Sequence, residues 1–379
     1  MKQPPGFEER GDNFVCKLQK SIYGLKQSGR DWNNYLHRIL VNKFGFKQCV
    51  KDPCVYVKKS IVLAVYVDDM LLIGRGEVLK ETREKLSDNL DVKDLGEISK
   101  FLSINIKKGD RGELILEQEE YIDWLLGEFS MENCKGFSSP LQVGCINIDK
   151  DTEKKFCQSI YRKAVGCLLY LSSTTRPDIA NSVCIVSQYC EDPTITDWNN
   201  IKHIFQYLKK TKGYGLHFCR TNKETAVFTD SDWATNKTDN ISISGYCFIL
   251  AGGAICWRSK KQSRVAPSST HSEYAAMYEC VSEFEWLRDF LHEIGQEDLM
   301  SKPCAIYADN ASAIYIASSQ NISDKTKNIS VKYHYSRELV KAGEVTFVYV
   351  ESSKNLADVF TKPLSGPKTK EFAKLLGVY

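Results

Sequence analysis

Two short aliphatic runs, separated by an acidic pair, place the tightest constraint on how this chain can fold. The runs cover residues 61–65 and 70–73, and Asp68 and Asp69 lie between them. Aliphatic runs of this length predict buried strands, and the acidic pair predicts the turn of a hairpin. Two ionised carboxylates on one turn repel each other unless water or a cation neutralises them. The turn is therefore either a solvated hairpin end or a site for Mg²⁺, which prefers carboxylate oxygens.

Composition narrows the class of protein. With 379 residues the chain is long enough for two or three domains, and its 42% hydrophobic residues support folded cores. The 14 cysteines form no C-x-x-C pair and no zinc-like pattern with histidine, so they predict reduced, mostly buried thiols in an intracellular protein. No apolar stretch is long enough to cross a bilayer, so we expect no membrane span.

Positively charged residues are concentrated in short clusters of this sequence. The net charge is only +3, so no overall field attracts nucleic acid. The densest basic cluster, called the basic run below, contains Arg258, Lys260, Lys261 and Arg264. Both a solvated loop and a phosphate-binding segment are compatible with such a run.

Hydrophobic periodicity divides the chain into three segments. Residues 1–145 predict the hairpin, then a helix, two strands and a second helix, and a polar linker follows. Residues 146–221 predict three helices that form a connection. Residues 222–379 predict strands first and then helices that alternate with strands. This order of strands and helices predicts a mixed α/β protein, and within that group the α+β class.

Four acidic residues of the last segment lie at the ends of predicted elements: Asp230, Glu273, Asp309 and Asp358. Two of them follow strands and two lie in the first turn of a helix. Each has an ordinary alternative, such as a capping box between Thr270 and Glu273, an acidic turn at Asp230, or a helix N-terminus at Asp309 and Asp358. Because element ends in a mixed sheet converge on one edge, the four side chains are candidates for one shared site.

Several motifs follow one another along nearly the whole chain. They are S-I-Y-G-L-K-Q-S at 21–28, D-P-C-V-Y at 52–56, Y-V-D-D at 66–69, Y-R-K-A-V-G at 161–166, T-R-P-D-I-A at 175–180 and S-S-T-H-S-E-Y at 268–274. Three more contain the remaining acidic residues: T-D-S-D-W-A at 229–234, A-D-N-A-S-A-I at 308–314 and N-L-A-D-V-F-T-K-P-L at 355–364. In this order and spacing the chain resembles the Pol polyprotein of copia-type long-terminal-repeat retrotransposons.

The resemblance implies a fold and a chemistry. It implies a truncated reverse transcriptase palm and thumb in residues 1–145, a helical connection in 146–221, and an RNase H-like mixed sheet with flanking helices in 222–379. The RNase H part would be an endonuclease that hydrolyses the RNA strand of RNA–DNA hybrids. Its four acidic residues would hold two Mg²⁺ or Mn²⁺ ions, and the basic run would contact phosphate. Asp68 and Asp69 would be metal ligands of the RNA-directed DNA polymerase.

Two departures from the family pattern bear directly on function. The family has another metal-binding Asp on a palm strand ahead of the segment that matches residues 1–7, so the resemblance implies an incomplete polymerase centre. Near the C-terminus, Asn328 and Ser330 replace a His and an Asp of the family. The alternative function is therefore a catalytically inactive, transposon-derived fragment that at most binds nucleic acid.

The resemblance also implies partners and a location. Besides the RNA–DNA hybrid, a separate N-terminal Pol segment or another Pol chain would complete the polymerase. We expect an intracellular protein of the cytoplasm, the virus-like particle or the nucleus, in a cycle that includes DNA integration.

Overall fold

The chain forms two compact units. The computed structural model describes residues 1–9, 14–110, 112–145, 153–220, 225–235, 239–319 and 331–379. One unit contains Met1–Leu95 and Trp286–Glu297, and the other contains Gly96–Glu285 and Asp298–Tyr379. The predicted domain boundaries at 145/146 and 221/222 both fall inside the second unit and stay predictions.

The first unit is built on a four-stranded antiparallel sheet in the order β1-β2-β3-β4. Its elements are α1 (Ser28–Arg38), a π-helical turn (Ile39–Lys43), β1 (Lys47–Gln48), β2 (Val55–Lys58), β3 (Ile61–Tyr66), β4 (Asp69–Ile73) and α2 (Gly76–Asn89). Leu40, Ile61 and Leu63 are fully buried, and Leu86 of α2 packs into the same core. Burial of these aliphatic side chains stabilises the unit by roughly 1.5–3 kcal/mol each.

The predicted hairpin is present. Strands β3 and β4 pair with Tyr66 opposite Asp69, which leaves a two-residue turn of Val67 and Asp68. Val67 has a φ of 54°, a conformation that β-branched residues rarely adopt. A positive φ at the first turn residue matches the right-handed twist of a tight hairpin, so the turn geometry holds Val67 in this strained state.

The second unit begins with a sheet and a helical layer. Its first elements are β5 (Lys100–Phe101), β6 (Ile104–Lys108), β7 (Leu114–Glu117), α3 (Glu119–Glu128), α4 (Gln158–Thr174), a 3-10 turn (Pro177–Ile179), α5 (Ala180–Ser187), α6 (Ile195–Lys210) and β8 (Gly215–Phe218). The three helices predicted for residues 146–221 are present as α4, α5 and α6. The segment is not purely helical, however, because β8 pairs with β7 and completes the sheet β5-β6-β7-β8.

A buried ion pair stands between α4 and α5. The side chains of Arg176 and Asp178 are both fully buried, with Nη2 of Arg176 2.7 Å from Oδ2 of Asp178. Tyr207 of α6 donates a hydrogen bond to the same carboxylate oxygen, and Thr211 accepts from the guanidinium. Every member of this network is satisfied, which is the condition under which buried charge is tolerated.

The rest of the second unit is a five-stranded mixed sheet with helices. Its elements are β9 (Ala226–Ser231), β10 (Ile243–Leu250), β11 (Gly253–Lys261), α7 (Ser269–Glu293), a 3-10 turn (Glu297–Leu299), β12 (Cys304–Ala308), α8 (Ala311–Ser318), a 3-10 turn (Val331–His334), α9 (Tyr335–Lys341), β13 (Val345–Tyr349), 3-10 turns (Ser352–Lys354 and Leu356–Phe360) and α10 (Gly366–Leu375). The strand order is β11-β10-β9-β12-β13. Strands β9 to β11 are antiparallel, and β12 is parallel to both β9 and β13. The predicted α+β class is confirmed.

Two local expectations were wrong. Strand β11 extends to Lys261, so Arg258, Lys260 and Lys261 lie on a strand and not in a loop. Asp358 lies in a 3-10 turn and not in a regular helix. The α-helix that follows begins only at Gly366, because Pro363 interrupts a helix that would continue from this turn, and Ser365 precedes its first residue.

The last residues run beside β8. Gly215 and Tyr379 exchange both backbone hydrogen bonds, and His217 donates to the carbonyl of Gly377. The carbonyl of Leu376 accepts from the amide of Ala254 in β11. These residues therefore link the edge of the four-stranded sheet to the five-stranded sheet.

All 14 cysteines are free thiols. Only Cys49, Cys247, Cys280 and Cys304 are buried, so the expectation that most of them are buried was wrong. Among the helices in the described ranges, none combines the length and the apolar character that crossing a membrane requires.

Candidate metal centre

Three of the four predicted acidic residues meet at one edge of the five-stranded sheet. Asp230 lies near the end of β9, and Asp309 follows β12 directly. Because β9 and β12 are parallel neighbours, their carboxyl ends reach the same edge. Asp358 comes from the 3-10 turn Leu356–Phe360, and one carboxylate oxygen from each of the three residues lies within 4.8 Å of the others.

Two local features fix the position of Asp358: a capping side chain and a glycine that leaves space. Asn355 caps its turn by accepting a hydrogen bond from the amide of Ala357, and its side-chain amide donates to the carbonyl of Thr229 in β9. Gly245 in β10 leaves room for the turn, since a Cβ at that position would lie 2.6 Å from the Cβ of Phe360. The turn is thereby held against β9, which carries Asp230, and against its neighbour β10.

Glu273, the fourth predicted acidic residue, is not in the 4.8 Å group, but it lies near enough to Asp230 and Asp309 for burial and their charges to raise its pKa. It lies in α7 and is only 6% exposed. Its Oε2 atom is buried and accepts no hydrogen bond within the described part of the chain. The capping-box alternative was wrong, because α7 begins at Ser269 and Thr270 is already inside the helix.

The ordinary alternatives for Asp230 and Asp309 are also resolved by the structure. Asp230 is 3% exposed and does not lie in a solvated acidic turn. Its neighbour Asp232 is also buried and accepts a hydrogen bond from the amide of Ile243, which ties the end of β9 to β10. Asn310 caps α8 by accepting from the amide of Ala313, which leaves Asp309 free to face the cluster.

Burial and mutual repulsion oppose ionisation of the cluster. Burial, followed by the nearby charge of Asp358, raises the pKa of Asp230 to about 7. Burial, followed by the charges of Asp230 and Asp309, raises the pKa of Glu273 to about 10. The pKa of Asp358 is also raised, chiefly by burial. Carboxylates in such a position ionise together only when a cation neutralises them, and the all-oxygen donor set fits Mg²⁺ or Mn²⁺.

Sequence reasoning missed two residues that contact the cluster. Thr361 donates a hydrogen bond from its hydroxyl to Oδ2 of Asp230. The Nζ atom of Lys362 lies 2.8 Å from Oδ1 of Asp358, four residues earlier. Both residues belong to the motif that contains Asp358, and the four-residue spacing of opposite charges is a signal that could have identified Lys362.

The four members of the basic run differ in exposure and in their hydrogen bonds. Arg258, Lys260 and Arg264 are exposed, whereas Lys261 is half-buried and donates to Gln188 and to Asp239. Lys260 lies 3.6 Å from a carboxylate oxygen of Glu279. Within the described ranges, the side chains of Arg258 and Arg264 form no ion pair or hydrogen bond.

A groove of about 570 Å³ lies beside β11 in the second unit. Helices α4 and α5 form one wall, with Tyr170 and Gln188, and β11 forms the other. Arg258, Lys260 and Lys261 line the groove, and Arg264 does not. Three members of the basic run are thus grouped at a concave surface.

The polymerase-like turn carries two exposed carboxylates, Asp68 and Asp69. Tyr23 donates a hydrogen bond to Asp68, and Trp32 donates from Nε1 to the carbonyl of Val67 at 2.8 Å. No third carboxylate joins this pair in the residues that the structure describes.

Asn328 and Ser330 lie outside the described residues. His334, a few residues further along the chain, is half-buried. Its Nδ1 lies 3.3 Å from the hydroxyl of Tyr274, the residue that follows Glu273. Arg337 donates to the carbonyl of Ser319. Both side chains therefore have packing and hydrogen-bonding roles.

Comparison with known proteins gives relatives along the whole chain. Residues 1–143 match the family model of reverse transcriptase, an RNA-dependent DNA polymerase. The Pol polyprotein from transposon TNT 1-94 of Nicotiana tabacum is 36% identical over 394 aligned residues, which cover 100% of this chain and 29% of that protein. The putative transposon Ty5-1 protein of Saccharomyces cerevisiae is 30% identical over 75% of this chain and 94% of its own length.

A solved RNase H1 isolated from compost aligns with 36% of this chain and 92% of its own, with 13% identity and a TM-score of 0.27. The chain spans less than a third of the plant Pol polyproteins that it matches. The whole chain matches part of these polyproteins, and it matches 94% of the yeast protein, so this chain belongs to the Pol family of copia-type retrotransposons.

Proposed function

We propose that this Pol segment is an RNase H-type endonuclease that hydrolyses the RNA strand of RNA–DNA hybrids. The observation that carries the proposal is the meeting of Asp230, Asp309 and Asp358 within 4.8 Å of one another. The buried Oε2 of Glu273, which lacks a hydrogen-bond partner among the described residues, supports it. A buried carboxylate without a partner costs free energy, and such sites are concentrated where a ligand or metal completes them.

The protein residues in this proposal act by holding charge in place. Mg²⁺ or Mn²⁺ ions bound at Asp230, Glu273, Asp309 and Asp358 would activate water and stabilise the leaving oxygen of the phosphodiester. The sheet edge and the capped turn of Asp358 fix the carboxylates before substrate arrives, so little reorganisation is needed. Thr361 orients the carboxylate of Asp230 through its hydrogen bond.

Phosphate contact is assigned to the exposed members of the basic run. Arg258 is exposed, forms no ion pair in the described chain and lines the groove beside β11, so its guanidinium is available for a phosphate oxygen. Lys260 offers a second positive charge on the same strand. Contacts of this kind position the hybrid and carry no base sequence, and RNA is distinguished by its 2′-hydroxyls.

The polymerase part is proposed to be incomplete. Asp68 and Asp69 are exposed and have no third carboxylate beside them in the described ranges. We propose that a separate Pol segment or another Pol chain supplies it. The alternative function, an inactive fragment that binds nucleic acid, is favoured by the incomplete polymerase centre and by the replacement of a His and an Asp by Asn328 and Ser330.

The test is cleavage of a labelled RNA–DNA hybrid by the full chain with Mg²⁺ or Mn²⁺. Asp309→Asn keeps the shape of the side chain but removes the charge that attracts metal, so cleavage should fall by roughly two orders of magnitude or more. Hybrid binding, measured by fluorescence anisotropy, should be retained. The matched control is Asp123→Asn, an exposed residue of α3 paired with Lys212, and this variant should cleave like the parent.

Three outcomes decide between the two functions. Cleavage that Asp309→Asn abolishes supports the endonuclease. Cleavage that survives Asp309→Asn points to a contaminating nuclease and contradicts the proposal. If the parent does not cleave, and the double variant Asn328→His with Ser330→Asp is equally silent with either metal, the inactive fragment is the correct function.

A further inference from the structure

The carboxylate cluster contains a positive charge of its own. Lys362 forms an ion pair with Asp358 at 2.8 Å, and Asp358 retains only 10% of its side-chain exposure. Among the residues that the structure describes, no other lysine, arginine or histidine forms an ion pair with Asp230, Glu273, Asp309 or Asp358. In the described part of the chain, Lys362 is therefore the one cation paired with these acidic residues, and it is paired through Asp358.

The backbone holds Lys362 at this position. The amides of Thr361 and Lys362 both donate to the carbonyl of Asp358, so the chain turns back on itself and brings the lysine over the carboxylate. The hydroxyl of Thr361 fixes the same turn to Asp230. The lysine side chain keeps 43% of its exposure, so its end can leave the cluster for water.

One carboxylate oxygen cannot serve two cations equally well. Asp358 takes part in two interactions. One of its carboxylate oxygens faces Lys362, and its carboxylate also lies within 4.8 Å of Asp230 and Asp309. A divalent ion ligated by all three residues competes with the ammonium group both for lone pairs and through like-charge repulsion. The ion pair thus lowers the repulsion of the cluster when metal is scarce, and it weakens metal binding when metal is abundant.

We propose that Lys362 is the built-in counter-ion of the cluster and competes with divalent metal for Asp358. It is a positioning residue, since it acts through a metal ligand. The inference rests on the proposed metal centre. It adds that a metal ion must displace Lys362 from Asp358, which lowers the affinity of the centre for metal.

The experiment measures metal affinity and stability without any activity assay. The full-length parent, Lys362→Met and Lys362→Arg are stripped with EDTA and titrated with Mn²⁺, and free Mn²⁺ is counted by electron paramagnetic resonance. Asp309→Asn identifies which binding belongs to the cluster. The control for loss of one surface charge is Lys354→Met, because Lys354 is exposed and paired only with Glu351 within the described ranges.

The proposal makes opposite predictions for affinity and stability. Lys362→Met should bind Mn²⁺ roughly five- to tenfold more tightly than the parent, since a competing charge is gone. Its melting temperature in EDTA should fall by a few degrees, and saturating Mn²⁺ should remove the difference. Lys362→Arg and Lys354→Met should behave like the parent in both measurements.

Each contrary result has a distinct meaning. If the parent binds Mn²⁺ through Asp309 and Lys362→Met binds no more tightly, the metal centre stands and the role of Lys362 is wrong. If no variant binds Mn²⁺ in a manner that Asp309→Asn removes, both the metal centre and the competition are wrong. If Lys362→Met does not fold, Lys362→Gln replaces it, and unchanged affinity in that variant overturns the inference.

Discussion

Replacement of Glu273 by Gln should stabilise this protein in the absence of metal. Glu273 is 6% exposed, and its pKa is raised from 4.5 to about 10 by burial and by the charges of Asp230 and Asp309. Between these two pH values the folded protein holds a proton that the unfolded chain has released. Because the folded state then binds more protons than the unfolded state, the free energy of unfolding falls as pH rises across this window.

The magnitude follows from the width of the window. At about pH 7.5 the folded protein has kept the Glu273 proton over roughly three pH units, which corresponds to about 4 kcal/mol at ~1.4 kcal/mol per unit. This is an upper value, because Asp230 and Asp358 share the repulsion and readjust when Glu273 changes. Gln has nearly the shape of Glu and no charge, so Glu273→Gln should recover about 2–4 kcal/mol. At about pH 4.5 the gain should almost vanish.

The assay is urea unfolding in EDTA at both pH values, followed by hydrogen exchange of peptides from β9 and α7. Following these peptides separates the unit that contains Glu273 from the other unit, whose unfolding need not be simultaneous. A destabilising effect of Glu273→Gln, or an equal effect at both pH values, would refute the reasoning. Excess Mg²⁺ should reverse the order and make the parent the more stable protein, since only the parent has the full set of ligands.

Three further results are expected. Arg176→Met should lower the free energy of unfolding by roughly 3–5 kcal/mol in urea titrations, because it leaves the carboxylate of Asp178 buried without its charge partner, and adding Asp178→Leu should restore part of the loss. A chain that begins at Gly96 should resist limited proteolysis and melt at a higher temperature than one that begins at Arg220, because the shorter chain lacks β8. The full chain should not extend a DNA primer on an RNA template with Mg²⁺, and incorporation that Asp69→Asn abolishes would contradict this expectation.

Features set by near neighbours in the chain were predictable. The hairpin at Asp68 and Asp69 follows from two adjacent aliphatic runs and the turn between them. Asp309 could be placed because a short buried strand ends just before it. The order of strands and helices in the second unit likewise follows from local periodicity.

Features set by tertiary packing were not predictable. The four-residue spacing indicates that Lys362 can pair with Asp358, but the placement of this turn over Gly245, which brings the pair to the cluster, depends on tertiary packing. Polar residues on the edge strand β11 resemble a loop in sequence, because one side of an edge strand is solvated. The four-residue strand β8 begins shortly after α6 ends, and it becomes a strand through its pairing with β7. The grouping of Trp286–Glu297 with the first unit depends on contacts such as the salt bridge of Lys51 with Asp289.

The link that residues 376–379 make between the two sheets has a genetic consequence. A stop codon at the first of these four positions removes the backbone hydrogen bonds to Gly215, His217 and Ala254 at once. In genomic copies that drift without selection, such stops accumulate as readily here as at any other codon. Where natural selection maintains the folded protein, they are purged. The frequency of stops at these codons among related copies is therefore a record of whether the fold has been useful to the element, and it can be counted without purifying any protein.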